Sequence, residues 1–454
     1  MSRRAADIDR DAPSSSPPAP RGARRQDFVS FDRGVRCTGW LQRPDRYRAL
    51  ETDLGVRPRI ARGGGCSYAA ASFGDDVVSQ EMGAFDRLVA FDGGTLRVEA
   101  GLSLQRLLEW TVPRGLYVPA LPGYPWITVG GCIAADSHGK NPAQDGTFCD
   151  WVEAVTLFHP HTGYRTLSRA QHAELFAATC GGFGLTGIIV DATLRLAPLP
   201  SAWVTTTTMP IGSLVEAHER LHGSPAQSIA YSWHEGTTSA NRFGRGILFQ
   251  SSFADPSPVA ARRADRRARA TPSFAPFDLW ARPVIACANA VFRRRTPATR
   301  SEPILDALFP FARQPAYHWM FGPRGLVEVQ VLVPPGAAAP FFAAVETLVR
   351  AHACRVTLMS LKTFRGRQRS ISLSGEGTLV ALDIVRDDGS DRFLAAFDDL
   401  CTSFAVQPSV SKDSRLPAGI AARLVPHYDS FRRRLNEADP ARLFRSELSE
   451  RLEL

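Results

Sequence analysis

Three glycine-rich segments in the first 190 residues constrain this chain most: residues 61–68 (ARGGGCSY), 121–141 (LPGYPWITVGGCIAADSHGKN) and 181–189 (GGFGLTGII). Because glycine has no Cβ, successive glycines let backbone N–H groups approach an anion closely. The first segment is neither a G-x-G-x-x-G fingerprint nor a P-loop. One extended ligand with a phosphate-bearing spine would account for all three segments. The alternative is three unrelated turns.

The composition restricts the class of protein. The chain has 454 residues, of which 44% are hydrophobic and 22% charged, as in a globular protein of two or three domains. We find no uncharged apolar run of the roughly 18 residues that a membrane-spanning helix needs. The net charge of +9 favours acidic partners such as phosphates or anionic lipid. Zinc-finger spacing and RNA-binding aromatic motifs are missing, so nucleic acid is not expected. The eight cysteines are scattered without a C-x-x-C pair, and no metal site is predicted.

The order of strand-like and helix-like patterns predicts an α+β fold without regular βαβ repeats. In the first unit, residues 152–158 and 187–196 read as strands. Residues 104–112 have helical apolar spacing, with Ser103 as a candidate N-cap. In the second unit, residues 327–333 read as a strand and residues 337–351 as a helix.

These patterns divide the chain into four segments. We predict a disordered tail over residues 1–26, a first unit over 27–198, a second unit over 199–407 and a C-terminal segment over 408–454. Within the second unit, the Arg-rich and Pro-containing stretch at about 253–300 is typical of a mobile insertion.

The three glycine segments, in this order, resemble the FAD-binding domain of the vanillyl-alcohol oxidase-type flavoproteins, and within them the decaprenylphosphoryl-β-D-ribose 2-oxidases, flavin subunits of a polyprenyl-phosphoribose epimerase. Further matches are KDSR at 412–415 and DPARLF at 439–444. The resemblance covers roughly residues 36–454 and is weak from 200 to 320. It implies a two-part FAD-binding domain over 27–198 and an α+β substrate domain with an antiparallel sheet. It also implies a C-terminal segment that returns to the active site.

The resemblance also implies which residues bind FAD. They are Arg62, Gly63, Gly64, Gly65, Cys66, Ser67, Tyr68, Gly123, Thr128, Val129, Gly130, Gly131, Ala135, Asp136, Ser137, His138 and Ile189. Relatives with covalent flavin carry a histidine where this chain has Cys66, so noncovalent FAD is expected. A cysteinyl link through Cys66 is the alternative.

The same resemblance assigns three residues to the substrate side: Lys412, Gln330 and Lys362. Lys140 is assigned there by the polar cluster around it, with a solvated charge as the alternative. Lys412 is a candidate cation for stabilising negative charge on the substrate oxygen, or a proton acceptor. Gln330 and Lys362 would bind sugar hydroxyls or a phosphate. His138 would tune the flavin or relay a proton, with structural packing as the alternative.

Three functions follow from these assignments. The first is oxidation of the 2-hydroxyl of a polyprenyl-phosphoryl pentose, for a short-chain reductase partner in cell-wall arabinose synthesis. The second is oxidation of a soluble sugar, aldonolactone or other alcohol. The third is a non-catalytic flavin-binding protein.

We expect a cytoplasmic protein that lies peripherally at the inner membrane. Basic residues of the insertion would contact anionic lipid, with three aromatic residues at the headgroup level; a solvated loop is the alternative. The basic residues are Arg262, Arg263, Arg266, Arg267 and Arg269, followed by Arg293, Arg294 and Arg295. The aromatic residues are Phe274, Phe277 and Trp280.

Overall fold

The structure is a computed structural model, and it describes residues 19–52, 57–224, 229–238, 242–254 and 273–454. The elements of the first unit are β1 (Ala23–Val29), β2 (Arg36–Gln42), α1 (Tyr47–Leu50), β3 (Arg59–Arg62), β4 (Val78–Glu81), β5 (Leu88–Phe91), β6 (Thr95–Glu99), α2 (Leu104–Thr111), β7 (Leu116–Tyr117), α3 (Val129–Ala135), α4 (Pro142–Asp145), β8 (Val152–His159), β9 (Gly163–Ser168), α5 (Ala173–Thr179), β10 (Ile188–Arg195) and β11 (Ala197–Pro198).

The elements of the remaining chain are β12 (Trp203–Ile211), α6 (Leu214–His222), β13 (Ile229–His234), β14 (Gly246–Phe253), α7 (Arg282–Arg295), β15 (Thr299–Pro303), α8 (Ile304–Leu308), α9 (Pro315–Trp319), β16 (Leu326–Val333), α10 (Ala338–Ala351), β17 (Val356–Phe364), β18 (Gly377–Val385), α11 (Asp388–Ser403), β19 (Gln407–Pro408), α12 (Ala418–Leu424), α13 (Tyr428–Ala438) and α14 (Glu447–Arg451). Among the helices of the described residues, none combines the length and apolar character that crossing a bilayer requires.

The first unit contains two main sheets. One has the order β1-β2-β4-β3, with β2 and β3 both parallel to β4. The other has the order β5-β6-β10-β8-β9 and is antiparallel throughout. Helix α2 packs its buried face, which includes Leu104 and Leu108, into the core of this unit. Its N-terminus is capped as expected, since the Ser103 side chain accepts a hydrogen bond from the Arg106 N–H.

The second unit is built on an eight-stranded antiparallel sheet with the order β15-β12-β14-β13-β17-β18-β16-β19. Alternate residues of a strand point to opposite faces. The valines of β16, such as Val327 and Val329, pack with Phe341 of α10 and Phe393 of α11 in one hydrophobic core. The polar residues of the same strand therefore face the other side, toward the first unit. This sheet, and the α+β class, confirm the predicted fold.

The C-terminal segment returns to the first unit. Leu448 and Phe431 pack with Ile60 and Leu185 of the first unit in a shared core. Phe444 is fully buried, and its backbone N–H donates to Asp439 Oδ2 at 2.8 Å. The DPARLF motif is therefore a structural turn that attaches this segment to the first unit.

Two boundaries drawn from the sequence need correction. The predicted disordered tail does not extend to residue 26, because Ala23–Val29 forms β1 and pairs antiparallel with β2. Residues 1–18 lie outside the described residues. Pairing with β2 satisfies the backbone N–H and C=O groups of residues 23–29, so the charged side chains of this stretch do not prevent strand formation.

The predicted mobile insertion does not extend to residue 300 either. Arg282–Arg295 forms α7, which buries Ile285 against Trp280 and Phe321. Thr299–Pro303 forms the edge strand β15. The prediction relied on the high arginine content of this stretch and did not take account of the apolar residues that anchor the helix. Arg262, Arg263, Arg266, Arg267 and Arg269 fall outside the described residues.

Candidate active site

One large cavity lies between the glycine segments of the first unit and the polar face of the eight-stranded sheet. It encloses about 1940 Å³ of empty space, including its open mouth. The backbone-rich side comes from the three glycine segments. The opposite side comes from β16, β17 and β18, with Lys412 from the loop after β19 at the boundary.

The first glycine segment follows β3 and presents its backbone to the cavity. A Cβ added to Gly64 would lie 2.1 Å from the Trp126 carbonyl oxygen, and Gly65 has a φ of +71°. Within the described residues, the amides of Gly64 and Gly65 donate to no protein acceptor. Free amides beside a cavity suit an anionic ligand such as a pyrophosphate.

The side chains of the first segment have different surroundings. Cys66, Ser67 and Tyr68 line the cavity with the glycines. The Cys66 thiol donates to the Gly64 carbonyl at 3.4 Å, and burial raises its pKa to about 12. Such a thiol stays protonated at neutral pH and is a poor nucleophile.

The second glycine segment forms α3 and the turn after it. Thr128 caps the helix by accepting from the Gly131 N–H at 3.2 Å. The Gly130 N–H donates to the Ala100 carbonyl at 2.7 Å, and a Cβ at Gly130 would lie 2.9 Å from the Ala100 Cβ, so glycine allows this close approach. The cavity is lined in this region by Gly123, Thr128, Gly130, Gly131, Ala135, Ser137 and His138. In the third segment Ile189, on β10, also lines it.

Three residues of the predicted FAD-binding set do not line the cavity, and their side chains explain why. The Arg62 guanidinium lies over the Phe28 ring and donates to Ser72 Oγ at 2.9 Å. Val129 is on the core side of α3 and fully buried. Asp136 accepts hydrogen bonds from the Cys149 N–H and the Ser372 hydroxyl. We therefore correct the predicted role of these three side chains.

The sheet side of the cavity carries most of its polar side chains. The register places Glu328 of β16 opposite Asp383 of β18, and Gln330 opposite Ala381. On β17, Ser360 and Lys362 project into the same cavity. These side chains alternate with the core-facing apolar residues of the same strands, so the sheet holds them rigidly on one face.

Lys412 is brought to this face by the C-terminal segment. Its Nζ donates to Glu328 Oε2 at 3.2 Å and lies 4.1 Å from the centroid of the Tyr68 ring. The Gln330 amide donates to Glu328 Oε1 at 2.6 Å. Glu328 thus joins two of the predicted substrate-side residues. The sequence analysis missed it, although a glutamate within the apolar run LVEVQVLV was a detectable signal.

Burial sets the protonation of the surrounding groups. It lowers the pKa of His138 to about 3 and of His318 to about 4, so both imidazoles are neutral at pH 7. It lowers the pKa of Lys362 to about 8, with Lys412 acting in the same direction. Burial and the charge of Glu328 raise the pKa of Asp383 to about 8. Asp383 is therefore mainly a neutral acid at pH 7.

His138 connects the two sides of the cavity. Its Nδ1 lies 3.0 Å from the Gly139 carbonyl, and its Nε2 lies 3.5 Å from Gln330 Oε1. Lys362 Nζ donates to the same Gly139 carbonyl at 3.3 Å. Both atoms facing the imidazole are acceptors, and a neutral ring has only one N–H. The closer contact, to Gly139, assigns the proton to Nδ1.

Lys140 is not part of this cavity, which corrects its predicted substrate role. Its Nζ donates to the Ala307 carbonyl and lies 4.8 Å from the centroid of the Tyr231 ring. Arg300 and Glu302 line the small enclosed space next to it. Although only Gly139 separates Lys140 from His138 in the sequence, the lysine side chain enters a different space, lined by residues of the second unit.

The cavity fits FAD on two grounds from its own residues. The unpaired amides of Gly64 and Gly65 suit a pyrophosphate. Apolar residues beyond them, including Ile127, Phe183 and Ile189, provide flat contact area for ring systems. FAD would be held by the three glycine segments, with the sheet face left for a substrate.

Comparisons with known proteins agree with this assignment. Residues 56–167 match the FAD binding domain family. Over 415 residues the chain is 28% identical to decaprenylphosphoryl-beta-D-ribose oxidase from Mycolicibacterium smegmatis, covering 88% of this chain and 90% of that protein. A D-lactate dehydrogenase from Anaerostipes hadrus is 27% identical over 42% of this chain and 40% of its own length. A probable L-gulonolactone oxidase 4 from Arabidopsis thaliana is 31% identical over 23% of this chain and 19% of its own length.

These findings confirm the predicted FAD cofactor and the predicted enzyme class. The relatives are oxidases and dehydrogenases, so the non-catalytic alternative loses its support. The protein is an FAD-dependent oxidoreductase whose residues 56–167 match the FAD binding domain family, and it resembles decaprenylphosphoryl-beta-D-ribose oxidase.

Proposed function

We propose that this enzyme oxidises a secondary alcohol of a sugar, and that its substrate is a polyprenyl-phosphoryl pentose oxidised at the 2-hydroxyl. The observation that carries the proposal is the cluster of Lys412, Gln330 and Lys362 on the wall facing the glycine segments. The relative from Mycolicibacterium smegmatis, whose name gives such a substrate, aligns over 88% of this chain.

Bound FAD supplies a hydride acceptor for this chemistry. The residues of the sheet face orient the substrate and manage its charge. Lys412 places a cation where negative charge develops on the substrate oxygen. Gln330 and Lys362 bind sugar hydroxyls or the phosphate. His138 is neutral and packs edge-on against Phe364 at 5.0 Å, so it positions Gln330 and the ligand rather than carrying a charge.

The charge of this wall supports an anionic substrate. The wall carries two lysines, Lys412 and Lys362, against two carboxyl groups, and the raised pKa of Asp383, about 8, means that this group contributes little negative charge at pH 7. A phosphodiester would balance the remaining positive charge. A neutral lactone would leave that charge uncompensated, which favours the lipid-linked sugar over the soluble alternative.

The direct test is anaerobic flavin reduction. Purified protein is mixed with a short-chain polyprenyl-phosphoryl-ribofuranose, with the dephosphorylated sugar and with L-gulono-1,4-lactone. Bleaching of the flavin absorbance by the phosphorylated lipid alone is the expected result. Bleaching by the lactone instead would favour oxidation of a soluble sugar or aldonolactone. No bleaching by any of the three would overturn the proposal.

A lipid-linked substrate also calls for a membrane contact, and the outer faces of α7 and α9 support one. Phe277 is 59% exposed, and Val284, Val291 and Trp319 are exposed as well. Arg294 and Arg295 end α7 on its exposed side. Of the aromatic residues predicted to meet the headgroups, Trp280 is buried, because it packs on Phe321 and Ile285. Phe274 is half-buried against the same cluster and lies beneath the Arg33 guanidinium, so Phe277 is the predicted aromatic residue that stays exposed. Trp319 adds a second exposed aromatic residue to this surface.

Vesicle co-sedimentation tests this surface. Wild type should bind vesicles containing anionic lipid at low salt and release them at high salt, because charge is screened within about 8–10 Å at physiological ionic strength. The double variant Phe277→Ser, Trp319→Ser should weaken binding, whereas Tyr164→Ser, at an exposed residue of β9, should not.

We also propose a short-chain reductase as the partner that consumes the keto product. A pull-down with a short-chain reductase encoded nearby would test this interaction.

A further inference from the structure

We propose that Glu328 is the general base that accepts the hydroxyl proton of the substrate, while Lys412 stays a hydrogen-bond donor throughout. This inference rests on the proposed alcohol oxidation. It adds a residue that neither the sequence motifs nor the comparisons indicated, and it separates two roles that the sequence analysis had left together on Lys412.

The geometry places the Glu328 carboxylate among the groups proposed to touch the substrate. Its side chain is 10% exposed and lines the cavity. One oxygen accepts from Gln330 Nε2 at 2.6 Å and the other from Lys412 Nζ at 3.2 Å. A carboxylate offers about four acceptor positions. The Tyr68 hydroxyl is a third hydrogen-bond partner of this carboxylate. One position therefore stays available for a substrate hydroxyl that approaches beside Lys412 and Gln330.

The other titratable groups of this wall are poorer acceptors. Lys412 is the donor in its contact with Glu328. Lys362 donates to the Gly139 carbonyl. His138 has a free Nε2 lone pair, but burial and the neighbouring lysines make it a weak base. His318 lies on α9 and is also buried.

Asp383 supports the assignment from the neighbouring strand. It lies directly opposite Glu328 in the β16–β18 register, and it accepts from the Tyr317 hydroxyl at 2.7 Å. Two buried carboxyl groups this close disfavour a double negative charge. One proton shared by the pair leaves one carboxylate, and Lys412 contacts the Glu328 member. Glu328 is thus the member placed to react.

In the proposed step the substrate O–H bond breaks and its proton moves to a Glu328 oxygen. FAD held by the three glycine segments would accept the hydride from the carbon–hydrogen bond as the C=O double bond forms. When Glu328 is neutralised, Lys412 loses its charged partner and faces the developing negative charge on the substrate oxygen. The same two side chains therefore provide the base and the electrostatic stabilisation.

The test compares Glu328→Gln with wild type by rapid-mixing flavin reduction, with the short-chain polyprenyl-phosphoryl-ribofuranose as probe. Loss of a general base typically costs about 100- to 10,000-fold in rate. We expect a loss in that range, with FAD content unchanged. Glu302→Gln is the matched control, because Glu302 is 12% exposed and paired with Arg300 but lies outside the cavity. It should reduce its flavin at a rate close to wild type.

A second variant separates a base from a merely structural group. Glu328→Ala leaves space for a small carboxylate, so added formate should restore part of the rate in this variant and none in Glu328→Gln. Formate rescue would support the assignment. A slow Glu328→Ala variant without rescue, or one altered only in KM, would overturn it and make Glu328 a positioning residue.

The outcomes also distinguish this inference from the proposed function. If wild type bleaches with the probe and Glu328→Gln bleaches as fast, the alcohol oxidation stands and the base assignment fails. If wild type bleaches with none of the sugar or lactone probes, the alcohol oxidation fails and the base assignment fails with it.

Discussion

The two walls of the cavity are built in different ways. The flavin-side wall consists of backbone and small side chains from contiguous glycine segments, such as residues 63–68 and 128–138. The sheet-side wall consists of side chains from three strands and from Lys412, which lies 84 residues after its partner Glu328. The flavin-side wall therefore offers a close-fitting backbone surface with few charged side chains. The sheet-side wall holds its charged side chains at positions fixed by the strand register. Binding of the cofactor and chemistry on the substrate are therefore separable by mutation.

The flavin-side wall should show its effect in the binding of FAD. Gly64→Ala places a Cβ 2.1 Å from the Trp126 carbonyl oxygen, so the loop must move. Overpacking of this kind costs about 1–3 kcal/mol, and 1.4 kcal/mol is tenfold in affinity. We expect purified protein with about 5- to 150-fold weaker FAD retention, the equivalent of this cost, and a matching loss of turnover.

Flavin released on denaturation measures this loss. Gly83→Ala is the matched control, since a Cβ there meets nothing within 4 Å, and it should retain FAD. A Gly64→Ala protein that is isolated fully loaded would show that backbone approach at this loop does not determine binding.

The sheet-side wall should give the opposite phenotype. Lys412→Ala removes the cation from the face of the cavity while leaving the glycine segments intact. We expect normal FAD content and a fall in the rate of flavin reduction on the order of 100-fold or more. Stopped-flow absorbance with the probe substrate measures it. A rate of flavin reduction equal to that of wild type would show that Lys412 has no catalytic role.

The contrast between the walls also explains what the sequence could reveal. The glycine segments are contiguous, so their composition alone indicated an anionic ligand, and the family resemblance specified FAD. The antiparallel sheet was expected from the resemblance. The pairing of Glu328 with Asp383 depends on strand register, which no local pattern in β16 or β18 specifies. Lys140 was misplaced for the converse reason: it is close to His138 in sequence, but its side chain points into another space.

A smaller effect is expected from Lys140, on the pH dependence of the free energy of unfolding. Burial lowers the pKa of Lys140 to about 7 from an ordinary 10.5, so between these values the unfolded chain binds a proton that the folded chain lacks. Stability should therefore rise with pH across this window, with a slope from this group of at most about 1.4 kcal/mol per pH unit. Lys140→Met should show a flatter dependence in denaturant titrations at pH 7, 8 and 9, and flavin reduction close to wild type. Equal slopes in the two proteins would contradict the burial of a neutral lysine.

The smallest expected effect returns to the flavin-side wall, at the position where some relatives attach their flavin covalently. Cys66 lines the cavity, but its thiol donates to the Gly64 carbonyl and its pKa is raised to about 12 by burial. A protonated thiol does not form the carbon–sulfur bond that a cysteinyl flavin needs. Acid precipitation should therefore leave the yellow colour in the supernatant for wild type. Cys66→Ser, which preserves a donor for Gly64, should bind FAD to the same extent. Colour in the wild-type pellet that disappears in Cys66→Ser would establish a covalent link, and the first wall would then hold its cofactor by chemistry as well as by shape.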